Sequence, residues 1–431
     1  MSPSKRGAGM FVRLFSGALL SQALTSAASL LVGLILIRHE SAAQYGYYVL
    51  VTTTMLLLSG AQFAYLGPSL VNRLTNSDLS GRRDIVGGML REQRRLLPLP
   101  AIAAAILTTI LWWSGAIENS IAALMGAAIL AALATLQREF FRMVLMAYRR
   151  PLDVLKADSV YVALLVGGVS LASLAPLPAA TAVLALALAT LVGGTLLGRA
   201  VWRHEGWNID GAQGILREIA PVGAWAVSGG AAHWAFSQGY TFVVATTLSV
   251  TAVAAIASTR LLLIPINLLS QGISQIMLPT VSQWLRNHGA PRVLERLALF
   301  CGGVGALAVL YCAVMWMMRD WIFTHLMHRQ IEHSDALLLL WSAIFVLMAI
   351  RDQMAHLLVA RTKLRELSTI TLASATLSLA LTYAATLHYG VEGALVGVLA
   401  GELFNVLGII VMSALESRRA VTPLRQPVPA T

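Results

Sequence analysis

Apolar runs of about 20 residues recur along the whole chain, separated by short polar stretches, and that is the length a helix needs to cross hydrocarbon. Such runs lie near 14–37, 45–66, 96–115, 119–147, 157–175, 179–202, 218–247, 251–284, 297–318, 334–360, 367–388 and 392–415. The strict alternation of barrel strands is absent. Backbone groups in lipid must bond within their own segment, so each run predicts a helix. The expected fold class is an all-α polytopic membrane protein with about 12 transmembrane helices.

The runs divide into two sets of six. The second closes on Leu66-Gly67-Pro68-Ser69 and the eighth on Leu278-Pro279-Thr280, at similar depths in their own sets. A parallel duplication of six spans is a transporter arrangement with the substrate path between the halves. The expected domains are a first lobe over residues 1–205, a second over 206–420, and a Pro-rich disordered end over 421–431.

Composition agrees with the pattern. Of the 431 residues 57% are hydrophobic and 12% charged, against roughly a quarter charged in soluble domains. The first run follows Lys5, Arg6 and Arg13, as a signal peptide would, but Leu14–Ile37 far exceeds the usual h-region of about 7–15 residues, so it reads as a retained span. Cys301 and Cys312 lie on one predicted helix, about 16 Å apart at the helical rise, which rules out a bridge between them.

The net charge of +11 is confined to short loops. With the N-terminus inside, 24 of the 31 basic residues fall on the cytoplasmic side and three, Arg38, Arg319 and Arg329, outside. That asymmetry is the positive-inside rule rather than a nucleic-acid surface, and it puts both termini in the cytoplasm. The outer loops are too short for an extracytoplasmic domain.

Some spans keep polar stripes. On the eighth, Arg260, Asn267, Gln271, Ser274 and Ser282 share one narrow face at helical spacing. The first carries Gln22, Thr25, Ser29 and Gly33, the second Tyr48, Thr52, Ser59 and Gln62, and the seventh His233, Ser237 and Tyr240. Ser, Thr and Gly also serve close helix packing, but large polar groups fill such interfaces poorly. Charges inside spans are costlier, roughly 2.5–3.5 kcal/mol for a central arginine, and need a partner or a wet cavity. Arg260, about 13 Å into its span, Glu402 near the middle of the twelfth, the pair Arg138 and Arg142 on one face of the fourth, and Arg351-Asp352 in the tenth meet that description. For each, mutual neutralisation is the structural alternative to a functional role.

Soluble-enzyme motifs are missing: no GxxxxGK[ST] loop, HExxH or CxxC occurs. No catalytic residue, metal site or cofactor is expected, and the energy for transport comes from ion coupling, membrane potential or consumption of product.

The stretch Arg260-Leu261, Pro265, Ile276 and Leu278-Pro279-Thr280-Val281-Ser282 resembles the eighth helix of the multidrug/oligosaccharidyl-lipid/polysaccharide flippase superfamily. Arg38 followed by Gln44-Tyr45-Gly46-Tyr47-Tyr48 is similar to the first hairpin of its polysaccharide flippases, with His39-Glu40 where a Leu is usual. Tyr148-Arg149-Arg150-Pro151 is similar to their basic inner loop. The resemblance implies two six-helix lobes around a central cavity lined by helices 1, 2, 7 and 8, the helices striped above. It also implies that Arg260 matches the arginine that meets pyrophosphate in lipid II flippases. The first-helix arginines and two extra helices of that branch have no counterpart, which turns the expectation from lipid II to a polyprenyl-pyrophosphate-linked oligosaccharide.

The expected function is a flippase of the bacterial inner membrane, working by alternating access for O-antigen-type lipopolysaccharide or exopolysaccharide synthesis. Arg260 holds the diphosphate and Asn267, Gln271 and Gln22 meet sugar hydroxyls. Ser29, Gln62, His233, Arg138 and Arg142 are further substrate contacts, and Glu402 and Asp352 are ion-coupling candidates. Its partners are the lipid-linked oligosaccharide, membrane lipids, and the pathway's polymerase and glycosyltransferases, with no nucleic acid. A multidrug–cation antiporter would need a cavity carboxylate, for which Glu402 or Asp352 is available. A membrane glycosyl polymerase or ligase would need a large outer loop, and a non-transporting scaffold would leave the stripes unexplained.

Overall fold

A computed structural model describes residues 3–175, 178–328 and 333–418; the expected disordered end lies outside them. The described residues form helices and connecting turns, without a strand. The chain divides into two compact units, Met1–Trp234 and Ala235–Thr431.

The first unit contains α1 (Pro3–His39), α2 (Ala42–Asn76), α3 (Leu79–Leu96), α4 (Pro98–Trp113), α5 (Asn119–Ala147), α6 (Pro151–Ala172), α7 (Pro178–His204) and the first part of α8 (Ile215–Thr247). The second holds the rest of α8, then α9 (Val250–Leu261), α10 (Ile264–His288), α11 (Ala290–Met317), the short α12 (Arg319–Trp321) running into a π turn (Ile322–Leu326), α13 (Ser334–Ala360) and α14 (Leu364–Arg418). Among the described residues nine helices are long and apolar enough to cross a membrane, ten if the bent pair α9–α10 is one span. With α8, and with α14 taken as two arms, helices stand at all twelve predicted spans.

The division falls inside α8 because its first turns are anchored in the first unit. Ile215 and Ile219 join a buried cluster with Leu66, Leu70, Met89, Phe140 and Phe141. The Tyr65 hydroxyl donates to the Leu216 carbonyl at 2.7 Å. The Glu92 carboxylate accepts the backbone N–H groups of Gly214, Ile215 and Leu216 (3.2 Å for Ile215 and 2.8 Å for Leu216), so an anion from α3 caps the start of α8. Asp78 caps α3 in the same manner. Its carboxyl, outside the spans, is held below the usual carboxylate range by the Ser80 hydroxyl and the Gly81 N–H.

α14 departs from helix at Gly390, where φ is 60° and ψ −136°, a region suited to glycine. Its arms, residues 364–389 and 391–418, fold back on each other along a glycine ladder. A Cβ at Gly397 would stand 2.2 Å from the Thr382 nitrogen, and one at Gly401 2.4 Å from the Ser378 Cβ. Such close approach lets dispersion and weak polar contacts hold helices together where lipid removes the hydrophobic drive.

One expectation about the spans is corrected. The eighth span is not one straight helix: α9 and α10 meet at 54°. Pro265 has no N–H for the Leu261 carbonyl, and its ring crowds that turn. The Tyr311 hydroxyl takes up the Leu262 carbonyl at 2.9 Å. The polar stripe is therefore split just after Arg260. The sixth predicted span, apolar nearly all round, is the most buried of the nine, packed through Gly193, Gly194 and Gly198 on Arg138 and Phe141 of α5. A helix apolar all round fits such burial.

Candidate functional site

Within the first unit, α5 carries Arg138 and Arg142 one turn apart, and α6 presents Asp158 to both. Arg138 is 2.6 Å from Glu139 and in direct contact with Asp158; Arg142 Nε lies 3.5 Å from Asp158 and its Nη1 3.9 Å from Glu139. The Ser21 hydroxyl of α1 donates to Asp158 and accepts from Arg142 at 3.3 Å. The Tyr161 ring centroid is 4.2 Å from the Arg138 guanidinium carbon. Two cations thus face two carboxylates, and Asp158 is fully buried. Both arginines expected to touch substrate are occupied in tying α1, α5 and α6 together.

Within the second unit, Arg351 on α13 meets Glu402 on the second arm of α14, Nη1 lying 2.7 and 2.8 Å from the two carboxylate oxygens. It also bonds Asp352 at 2.9 and 3.1 Å. Asp352 accepts from the Ser270 hydroxyl at 3.2 Å; Gln353 donates to Ser270 and Ser274, and His356 reaches the Ser274 carbonyl region at 3.2 Å. Here one cation serves two carboxylates. Glu402, near the middle of the twelfth predicted span, is paired with Arg351.

Arg260, half-buried at the last turn of α9, has a different environment. Its Nη1 donates to Gln238 Oε1 at 2.8 Å and to the Tyr240 hydroxyl at 3.1 Å. The Trp341 and Tyr240 ring centroids are 5.4 and 5.9 Å from its guanidinium carbon. Among the described residues of this unit no carboxylate comes within 4.0 Å. Its partners are neutral, so its full charge remains available to an anion.

The other candidates are dispersed. Asn267 is half-buried and Gln271 exposed on α10, beyond the bend. In the first unit Gln22 is half-buried, Ser29 is exposed and bonds the Thr25 carbonyl at 3.1 Å, and His233 is exposed on α8. Gln62 is buried, and its amide donates to the Leu136 carbonyl at 2.9 Å, holding α2 to α5. Sequence reasoning missed Asp158, Gln238 and Trp341. Tyr240 was on a recognised stripe, and Gln238 stood beside it.

Comparison with known proteins comes in two parts. Residues 101–300 match the family described as "Polysaccharide biosynthesis protein". No curated protein sequence matches. The fold is similar to that of a multidrug resistance MATE family transporter of the MOP superfamily in its inward-facing conformation (TM-score 0.73, 12% identity, covering 92% of this chain and 97% of that one). It is also similar to the lipid II flippase MurJ in an inward closed conformation (TM-score 0.74, 9% identity, 91% and 86%). The Vibrio cholerae MATE transporter VcmN, in its bent form, matches with TM-score 0.56 at 16% identity over 95% and 98%. The chain thus resembles the polysaccharide flippases of the multidrug/oligosaccharidyl-lipid/polysaccharide superfamily, and it has the two-lobed all-helical fold of that superfamily's transporters.

Proposed function

We propose that the chain flips a polyprenyl-pyrophosphate-linked oligosaccharide from the cytoplasmic to the outer leaflet of a bacterial inner membrane, by alternating access, for polysaccharide biosynthesis. The observation that carries this reading is the environment of Arg260. Of the arginines deep inside predicted spans, Arg138, Arg142 and Arg351 are matched to carboxylates, whereas Arg260 is held by an amide, a phenol and an indole. A permanent cation with neutral supports suits a diphosphate headgroup, and the match of residues 101–300 to a polysaccharide biosynthesis family supports the saccharide. Asn267 and Gln271 then offer amides to sugar hydroxyls, and glycosyltransferases and a polymerase act before and after the flip. Both termini face the cytoplasm in this reading.

The test is Arg260→Ala in the producing cell. Surface polysaccharide should disappear and its lipid-linked precursor accumulate on the inner leaflet at normal protein level, with partial recovery for Arg260→Lys. Normal surface polysaccharide in Arg260→Ala would reject the assignment. A second reading, a drug–cation antiporter, draws on the surplus carboxylate around Arg351. Under it, Glu402→Gln raises drug susceptibility and leaves polysaccharide untouched.

A further inference from the structure

A second set of unpaired cations lies in the first unit, apart from the Arg260 environment. In the first unit a cavity of about 460 Å³ opens between α3, α5 and α7, with Arg94, Arg199 and Arg203 in its wall. None of these three arginines has an ion pair or side-chain hydrogen bond among the described residues. Trp202 and Trp207 line the same space, their ring centroids 4.9 Å apart, and Trp207 stacks on Phe141 at 5.6 Å. Tryptophan favours the headgroup level of a bilayer. Three unneutralised guanidiniums beside two such rings form a cationic pocket at that level.

The pocket continues into a second cavity of about 370 Å³, with which it shares Arg94, Ala134, Gln137 and Leu191. Leu130, Leu133, Leu184 and Leu188 make this extension apolar. At the shared boundary the Gln137 amide nitrogen is shielded and has no acceptor. Along α7 one face changes character in a single direction, from Arg203 and Arg199 through Thr195 to Leu191, Leu188 and Leu184. From Thr195 to Leu184 is about 16 Å at the helical rise. One leaflet of a hydrocarbon core about 30 Å thick is about 15 Å.

We infer that this groove is a binding site for an anionic phospholipid of the surrounding bilayer, its phosphate held by Arg94, Arg199 and Arg203 and one acyl chain laid along α7. Basic pockets between membrane helices are suited to anionic headgroups. The groove's length selects the source. It ends after one leaflet's depth, which fits an acyl chain, whereas a polyprenyl tail would overrun it. The site is built from α3, α4, α5 and α7 and shares no residue with the Arg260 environment, so it stands or falls independently of the flippase reading.

The full-length protein in detergent, supplied with chain-matched phosphatidylglycerol, phosphatidylcholine or undecaprenyl phosphate, provides the test by native mass spectrometry and melting temperature. Phosphatidylglycerol should stay bound and raise the melting temperature where phosphatidylcholine does not. Arg199→Gln with Arg203→Gln should weaken its retention about tenfold or more. Thr195→Trp, which obstructs the groove and keeps all three arginines, should weaken it as well. Equal retention of phosphatidylcholine overturns the charge recognition, and full retention by a monodisperse Thr195→Trp protein overturns the groove. Preferential capture of undecaprenyl phosphate overturns the phospholipid assignment in favour of the carrier lipid.

Discussion

The buried ion clusters of the two units occupy comparable places and balance differently. Each is centred on the fourth of six predicted spans, α5 in the first unit and α13 in the second. Around α5, Arg138 and Arg142 face Glu139 and Asp158, so charge closes to zero; around α13, Arg351 faces both Asp352 and Glu402, leaving one negative charge in excess. Burying ions is costly, and the attraction between them offsets the cost only when partners and hydrogen bonds are complete. The first cluster balances its charges, although Arg138 Nε and Arg142 Nε are buried without a hydrogen-bond acceptor among the described residues, and it acts as a clamp between α1, α5 and α6. The second retains a carboxylate that shares its cation, which is the chemistry needed for a group that takes up and releases a proton during a cycle.

Removing Asp158 should have the largest effect. Asp158→Ala leaves two guanidiniums with only Glu139, itself partly exposed. Breaking a buried pair in this way costs about 3–5 kcal/mol, so membrane abundance and melting temperature should both drop sharply. A wild-type melting temperature for the purified variant would show that the first cluster is not a clamp. Glu402→Gln comes next, because Arg351 keeps Asp352 as partner and the amide still fills the space. A stability loss of about 1–3 kcal/mol is expected, together with an altered pH dependence of transport. Transport identical to wild type at every pH would remove Glu402 from ion coupling and make the two clusters equivalent.

Topology offers a smaller perturbation. Single cysteines at the exposed Ser114 and Tyr389 should leave stability within about 0.5 kcal/mol, whereas at Gly81, inside α3, a Cβ would stand 2.9 Å from Asp78 Oδ1 and at Gly289 φ is 76°, so these two cost more. At Ser114 and Tyr389 they should react with an impermeant thiol reagent from outside, in a background lacking Cys301 and Cys312, and at Gly81 and Gly289 only after permeabilisation. An inside reading at Ser114 would invert the first unit and put the pocket of Arg94, Arg199 and Arg203 on the outer side.

Periodicity made the helices legible and left their pairing hidden. All twelve runs carry helices because hydropathy and length act locally, and Gly390 sits between two of them as a turn residue should. Pro265 was visible too, yet it was read as part of a motif and not as the place where the span bends. Asp158 escaped notice because it lies at the edge of a predicted span, where a charge costs little. Packing of α1, α5 and α6 around it is what buries it. Arg351 and Glu402 are 51 positions apart on different helices, and no helical spacing rule connects them. The neutral setting of Arg260 was equally nonlocal, since Trp341 comes from α13.

Arg260→Met should perturb the fold less than Arg138→Met and function most, which makes it the sharpest contrast with Arg138. The substitution removes two hydrogen bonds from a charged donor, and such bonds contribute about 1.5–3 kcal/mol each. It also removes the cost of holding an unneutralised guanidinium inside a span, about 2.5–3.5 kcal/mol on insertion scales, and the methionine side chain still packs against Trp341 and Tyr240. The two contributions oppose each other, so the net loss should lie between about 0 and 3 kcal/mol. The purified variant should therefore melt closer to wild type than Arg138→Met does, while cells carrying it lose surface polysaccharide. Arg138→Met, in contrast, strands the fully buried Asp158 with Arg142 alone and should lower the melting temperature markedly. If Arg260→Met destabilises as much as Arg138→Met, Arg260 is a structural post like its counterparts, and the diphosphate must be held elsewhere.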